Sequence, residues 1–389
     1  MTVLPWPDRL KQIEHAGELW ARTWAPNDEQ VRAELHRQIM MNLSLGYFLY
    51  FQSSPDHPDF APFLNSVYLL QPNPDDAYVV AHISGDGIYR ISGDRGSVHL
   101  LTITIGKNMM GMVEEMGQQH LEVDVDDLVP GKDGKVDIIL SVEKPEGHEG
   151  AWLQIRRESE YVLIRQRSYD WGNEADARLS IERLDNNPIK RRMPTAEIEQ
   201  RLDGMLAFAE RLSRFWLNFV NGIKERHAPN SVHVAPFQEM GGVKAQVYWE
   251  AIFEIAPDEA LIVETEVPRQ VRYWNVQLND EIWNTIEYVN AQSSLNGHQA
   301  QLDSDGRFRA VVAAEDPGVP NWLDTLGHPT GTLVGRWYRS SDAPEPTLRR
   351  VKLSELRDYL PLDTPVVTPE ARAESIRARS RGAQQRRRW

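Results

Sequence analysis

From Ala77 to about Ile181 the chain is built on a two-residue period. The runs YVVAHI, IYRIS, SVHLLTITI, LEVDVDDL, VDIILSVE and YVLIRQRS are cut by the turn segments SGDG, GDRG and PGKDGK. Apolar residues at alternate positions mark a strand with one buried face, and short runs of this kind joined by Gly/Asp turns form hairpins. The pattern predicts an antiparallel β-sandwich or jelly roll and excludes alternating βα units. A second block, VYWEAIFEI, ALIVETEV, VRYWNVQL, FRAVVAA, TLVGRWY and TLRRVKL, reads as six more strands followed by a short SELRDY helix.

Between these blocks the period changes. Ile198, Leu202, Met205, Ala209, Leu212, Trp216, Phe219 and Ile223 step by three and four, with Thr195 as the expected N-cap and Glu197 and Glu199 at the positive end of the helix dipole. Upstream, Asn27 followed by Gln30 resembles a capping pair ahead of Val31, Leu35, Ile39 and Leu43, and an earlier helix is expected from Asp8 to Trp24. No internal repeat of fixed period is visible, although two β blocks of similar size suit two sandwiches side by side. The expected organisation is mainly β with helices. It comprises an N-terminal helical segment (1–75), a first jelly-roll-like antiparallel sandwich (76–190), a long linking helix (191–235), a second sandwich (236–361) and an Arg-rich tail (362–389).

The chain has no cysteine, which removes disulfides, thiolate metal sites and cysteine nucleophiles from consideration. With 41% hydrophobic residues in 389 it can bury substantial cores. The N-terminus lacks a basic segment followed by an apolar one, and no segment has the apolar length of a membrane span, so a cytoplasmic setting without membrane contact is expected. Net charge is −14 despite an Arg-rich tail, and so acidic a body repels nucleic acid. The tail, EARAESIRARSRGAQQRRRW, reads as an intramolecular strap or a frayed helix. Neither a GxGxxG opening a helix, a GK[ST] loop, a GxSxG elbow nor an HExxH pair occurs, and the histidines are scattered, so no metal or cofactor is expected. The acidic run Glu122–Asp127 reads as an exposed strand face rather than a calcium loop.

The stretch from Arg272 to Trp337 carries the strongest sign of a site. In VRYWNVQL, Arg272 shares a face with Trp274, Val276 and Leu278, and Tyr273, Asn275 and Gln277 share the other. In TLVGRWY, Arg336 lies with Thr332, Val334 and Tyr338, and Trp337 lies with Leu333 and Gly335. An arginine on an apolar face needs an anionic or carbonyl partner, either a ligand or a structural carboxylate such as Glu264. Between these strands lie Asn321, Trp322, Asp324 and His328. A single helical turn over Trp322–Leu326 would bring Asp324 and His328 together as an oriented acid–base pair, with Arg272 and Arg336 pointing toward it. Asn296, in SSLNGHQ, and Arg165, Arg167, Asp170 and Trp171, in LIRQRSYDWGNE, are further candidates at turns and strand ends.

The run DPGVPNWLDTLGHPTGTLVGRW, with RYWNVQL and SSLN before it and APEPTLRRVKLSELRDYLP after it, resembles the bacterial domain-of-unknown-function family numbered 1214. IYRISGDRGSVHLLTITI and IRQRSYDWGNE resemble the N-terminal half of its stand-alone members, so the resemblance runs from about Leu43 to Pro361. It implies jelly-roll-like β domains with attached helices and carries no substrate or catalytic residue across. By the resemblance, the position of His328 can hold Arg instead, which puts a catalytic histidine there in doubt and shifts weight to Asp324, Arg272 and Arg336.

The leading expectation is a hydrolase or lyase acting on a small glycoside-like or hydroxylated metabolite. Trp274, Trp322 and Trp337 would form a stacking wall, Asp324 and His328 would be catalytic, and Arg272, Arg336, Asn296, Asn321, Arg165, Asp170 and Trp171 would bind substrate. The alternative is a non-catalytic ligand-binding or assembly module, with a homo-oligomer among its forms.

Overall fold

The computed structural model describes residues 3–64, 72–115, 117–129, 134–235 and 243–386. Among these, the first β block contains β1 (Ala61–Pro62), β2 (Asp76–His82), β3 (Tyr89–Asp94), β4 (Leu100–Lys107) and β5 (Gln118–Asp124). It continues with β6 (Lys135–Ser141), β7 (Ala151–Gln154), β8 (Tyr161–Arg167) and β9 (Arg178–Arg183). They form a larger sheet in the order β1-β2-β8-β4-β5 and a smaller one in the order β7-β6-β3-β9. The two sheets close on a core that includes Ile103, Ile105, Val162 and Ile164 of the first and Ile91, Ile138, Leu140 and Ile181 of the second. The alternation in the sequence is therefore that of a sandwich, as expected.

The second block repeats the first strand for strand. Its elements are β10 (His233–Ala235), β11 (Gln246–Glu254), β12 (Glu259–Thr265), β13 (Val271–Asn279) and β14 (Ser294–Asn296). Then follow β15 (Phe308–Ala313), β16 (Trp322–Asp324), β17 (Thr330–Ser340) and β18 (Thr347–Lys352). The sheet orders are β10-β11-β17-β13-β14 and β16-β15-β12-β18, so each strand takes the place of the one nine before it. Both sandwiches are antiparallel except at one matched pair, β6 with β7 and β15 with β16, which run parallel. The chain is thus a structural duplication, although no fixed period shows in the sequence. Sheet order survives so long as each strand keeps an apolar face, and the turns between strands are free to differ in length.

Helices lie between and around the sandwiches. α1 (Trp6–Lys11) is followed by a 3-10 stretch over Glu14–Arg22 in place of the one helix expected there. α2 (Glu29–Tyr47) is capped by Asp28, whose carboxylate accepts from the amides of Gln30 and Val31, so the cap is one residue later than Asn27. α3 (Val125–Leu128) interrupts the acidic run: Asp124 caps it, and the run is a strand end plus one helical turn. α4 (Thr195–Arg226) is the expected long helix, but Pro194 holds the N-cap position and Thr195 makes no side-chain cap. Leu353–Tyr359 is a 3-10 turn, and α5 (Pro369–Gln385) ends the described chain. Residues 130–133 of the PGKDGK turn lie outside the described residues.

The two larger sheets turn their outer faces toward a shared middle layer. Tyr78, Val80, Tyr161 and Leu163 enter it from the first sandwich, Tyr248, Ile252 and Val334 from the second, and Phe208, Leu212, Trp216 and Val220 from α4. This layer is apolar at its helical end and polar at the other.

Candidate functional site

The polar end follows from strand parity. On β13, Trp274, Val276 and Leu278 face the core of the second sandwich, so Tyr273, Asn275, Gln277 and Asn279 face the middle layer. On β17, Leu333 and Trp337 go into that core, and Thr332, Val334, Arg336 and Tyr338 face outward. On β8, Val162 and Ile164 fill the first core and leave Arg165 and Arg167 on the outer face. Side chains too polar for either core therefore converge where the sandwiches meet.

Asp76, at the start of β2, forms a two-pronged pair with Arg167 at 2.7 and 2.8 Å. Both side chains are almost fully buried, at 1% and 5% exposure. The same guanidinium reaches Gln246 of the second sandwich at 2.9 Å and lies 4.2 Å from the centre of the Tyr273 ring. Burial would raise the Asp76 carboxyl, but the attraction of Arg167, with Arg165 and Arg336 adding to it, holds it below its ordinary range. Its neighbour Asp75 is held by neutral donors: Tyr273 at 2.5 Å, Asn296 at 2.7 Å and Trp171 at 2.8 Å. There burial prevails over these hydrogen bonds, and the Asp75 carboxyl is raised. Asn73 bridges to Tyr273 at 2.9 Å and to Asn275 at 3.0 Å.

The duplication is legible residue by residue at this point. Tyr78 lies opposite Arg165 across β2 and β8, and Tyr248 lies opposite Arg336 across β11 and β17. The Tyr78 hydroxyl accepts from the amide of Asn73, and that of Tyr248 accepts from the amide of Val243. Arg165 donates to Thr104 on the adjoining strand at 2.6 Å, and Arg336 donates to Gln277 on its adjoining strand at 2.6 Å. Arg336 also reaches Asn275 at 3.2 Å. Both arginines are more than nine-tenths buried, at 9% and 4% exposure, and their bonds are to neutral side chains. Among the described residues no carboxylate forms an ion pair with either. Sealed polar atoms without a partner include Arg32 Nε and Arg386 Nε but no nitrogen of Arg165 or Arg336.

The other expected site residues are dispersed. Arg272 is paired with Asp124 at 2.8 Å and Asp126 at 3.0 Å, away from the 321–328 segment. Trp274 and Trp337 are buried in the second sandwich core, and the Trp337 indole donates to the carbonyl of Pro344. Trp322 belongs to the apolar layer on the outer side of the smaller sheet, and its indole donates to the carbonyl of Ala313. Asn321 clamps the backbone of Gln301 and Arg309. Asp170 closes its own turn on Gly172 and Asn173. Arg336 is not bound to Glu264, which pairs with Arg307 and Arg309 instead. Of the expected residues the structure brings Arg165, Arg167, Asn296, Trp171 and Arg336 to one polar region and adds Asn73, Asp75, Asp76, Tyr78, Tyr273 and Gln277. The sequence offered NPDD ahead of a strand, but not the pairing of that strand with the one that carries Arg165 and Arg167.

Asp324 and His328 do not form the expected pair. Trp322–Asp324 is a strand, not a helical turn, and it leads into a tight turn with Leu326 and Gly327 at positive φ (50° and 83°). Asp324 accepts from the amide of Leu326 at 2.8 Å. Burial lifts its carboxyl to about 6, opposed by that bond. His328 instead lies within electrostatic reach of the buried Asp280, whose carboxyl burial raises to about 6 and His328 helps to lower. A cavity of about 200 Å³ beside Asn321 is lined by residues including Asp303, Arg309, Leu360 and Asp363, and Asp324 is not one of them. Among the described residues no group of three or more His, Asp or Glu is arranged to hold a metal ion. None of their helices is long and apolar enough to cross a membrane.

The family model described as "Protein of unknown function (DUF1214)" matches residues 80–170 and 257–342, one segment in each sandwich. The two matched segments cover just under half of the chain, and the similarity to the DUF1214 family therefore extends to both halves of the duplication. The matched segments contain Arg165, Arg167, Tyr273, Asn296 and Arg336. It is similar to an uncharacterised protein from Burkholderia cenocepacia at 29% identity and a TM-score of 0.83, over 90% of this chain and 97% of that one. A Vibrio parahaemolyticus protein aligns over 88% of this chain and 100% of its own at 11% identity, with a TM-score of 0.48. No curated protein matches the sequence.

Proposed function

We propose that the chain binds a small anionic molecule between its two sandwiches, with Arg165 and Arg336 as the anchoring cations. The observation that carries this reading is that two arginines at equivalent positions of the duplication are buried with no carboxylate partner among the described residues. Burying a charge costs several kcal/mol unless an opposite charge compensates it, and each fold half meets that cost at the same place. A ligand anion would supply the compensation, and the planar guanidinium fork suits a carboxylate. Tyr78, whose ionisation is suppressed by burial and by Asp76, remains a hydroxyl donor beside them.

The test is thermal stabilisation of the purified chain by a panel of small carboxylates, phosphates and neutral polyols. Anions are expected to raise the melting temperature of the wild type and to lose that effect in Arg165→Gln and Arg336→Gln. Stabilisation by polyols alone would overturn the reading.

A hydrolase or lyase acting on a small glycoside-like or hydroxylated metabolite is the second reading. One observation favours it: a buried Asp324 with its carboxyl near 6 is poised to donate or accept a proton at neutral pH. The tryptophans expected to form a stacking wall are packed into apolar layers and give it no support. Turnover of any bound metabolite that is abolished in Asp324→Asn while binding persists would establish it over simple binding.

A further inference from the structure

We infer that the ligand is a dicarboxylate, bound with one carboxylate on each of Arg165 and Arg336. This rests on the anion-binding reading above and adds the number and placement of the ligand's charges.

Arg336 is joined through Asn275 and Asn73 to the hydroxyl of Tyr78, Tyr78 lies opposite Arg165 on the paired strand, and Arg167 lies opposite Asp76 and reaches Gln246 of the second sandwich, so the three guanidiniums surround one region of the middle layer. Arg167 is neutralised in place by its two bonds to Asp76. Asp75 takes its side-chain hydrogen bonds from the neutral donors Tyr273, Asn296 and Trp171, and among the described residues no arginine is ion-paired with it. Two buried cations are left over, one from each half of the duplication. Each is held by a neutral acceptor of its neighbouring strand, Thr104 or Gln277, which orients the guanidinium and leaves its charge intact. A monoanion would leave one of the two uncompensated, whereas a molecule with a carboxylate at each end compensates both and matches the internal symmetry of the site. The hydrogen-bond inventory has the same polarity. Guanidinium N–H groups and the Tyr78 hydroxyl are donors, so the ligand's contacting atoms are acceptors.

The experiment is titration calorimetry on the full chain with malonate, succinate, glutarate and adipate, and with butyrate and inorganic phosphate as comparisons. One dicarboxylate of the series is expected to bind at a single site about ten-fold or more tighter than butyrate, since butyrate loses a whole charge-assisted contact. Arg165→Gln and Arg336→Gln should each bring that dicarboxylate down to the butyrate level, and Arg336→Lys should restore part of the preference. The wild-type ratio depends on no variant folding. Butyrate binding as tightly as the dicarboxylates, or phosphate binding in place of them, overturns the two-point inference and leaves an anion site standing. Failure of every anion to bind overturns both.

Discussion

Replacing Asp76 with Asn tests the worth of the Asp76–Arg167 pair, a cross-strand pair of the first sandwich whose guanidinium also reaches Gln246 of the second. The substitution keeps the side chain's shape and one acceptor oxygen but removes the charge opposite a guanidinium only 5% exposed. One charge-assisted hydrogen bond is lost, about 1.5–3 kcal/mol. The cation also loses its counter-charge in a site where neighbouring Arg165 and Arg336 repel it, so the expected cost is about 3–5 kcal/mol. Arg167→Met should cost less, because the stranded Asp76 still feels those two arginines. The double variant should then be less destabilised than the sum of the singles by about 2 kcal/mol or more. Urea unfolding followed by circular dichroism measures all three. The sign of the pH dependence is fixed by the direction of the shift. The folded carboxyl lies below its unfolded value of 3.8, so its stabilisation is complete above that pH and is lost as pH falls through the depressed value. Asp76→Asn should lack that part of the acid limb. A cost below about 1 kcal/mol, or strict additivity of the two singles, would refute the argument that this pair is a coupled, buried clamp.

Glu281 should make the protein less stable as pH rises. It is buried, and burial together with the charge of Asp280 lifts its carboxyl from 4.5 to about 7, so the folded state holds the proton more tightly than the unfolded one across that window. Glu281→Gln is expected to flatten the stability profile between those two values, and an unchanged slope would count against it. Gly335→Ala should destabilise by about 1–3 kcal/mol or more, because an added Cβ would lie 2.0 Å from Cε2 of the buried Trp249 indole. Urea unfolding of this variant at wild-type midpoint would contradict that packing.

The sequence by itself determined the element types and their faces. Alternation separated Trp274, Val276 and Leu278 from Tyr273, Asn275 and Gln277, because the period of a strand is local and survives any tertiary arrangement. The three-and-four spacing of Ile198 to Ile223 likewise marked α4. The Arg-rich tail, expected as an intramolecular strap or a frayed helix, is a helix strapped to the body: Arg372 and Arg379 are seven apart on one face of α5, Arg386 stands at its extended C-cap, and they bind Asp316, the carbonyl of Tyr288 and Asp176 respectively. What parity cannot supply is the destination of each face. The face with Trp274 looked like a ligand wall and is a sandwich core, whereas the face with Tyr273 looks across to the other sandwich. Pairing is equally non-local. Arg167 and Asp76 are 91 residues apart, Asn296 and Asp75 are 221 apart, and Arg386 reaches the carbonyl of Asp75 across 311. Only the tertiary structure decided that Arg336 belongs with Arg165 rather than with Asp324, because the duplication that makes them equivalent is kept in strand order and register and not in a fixed sequence period.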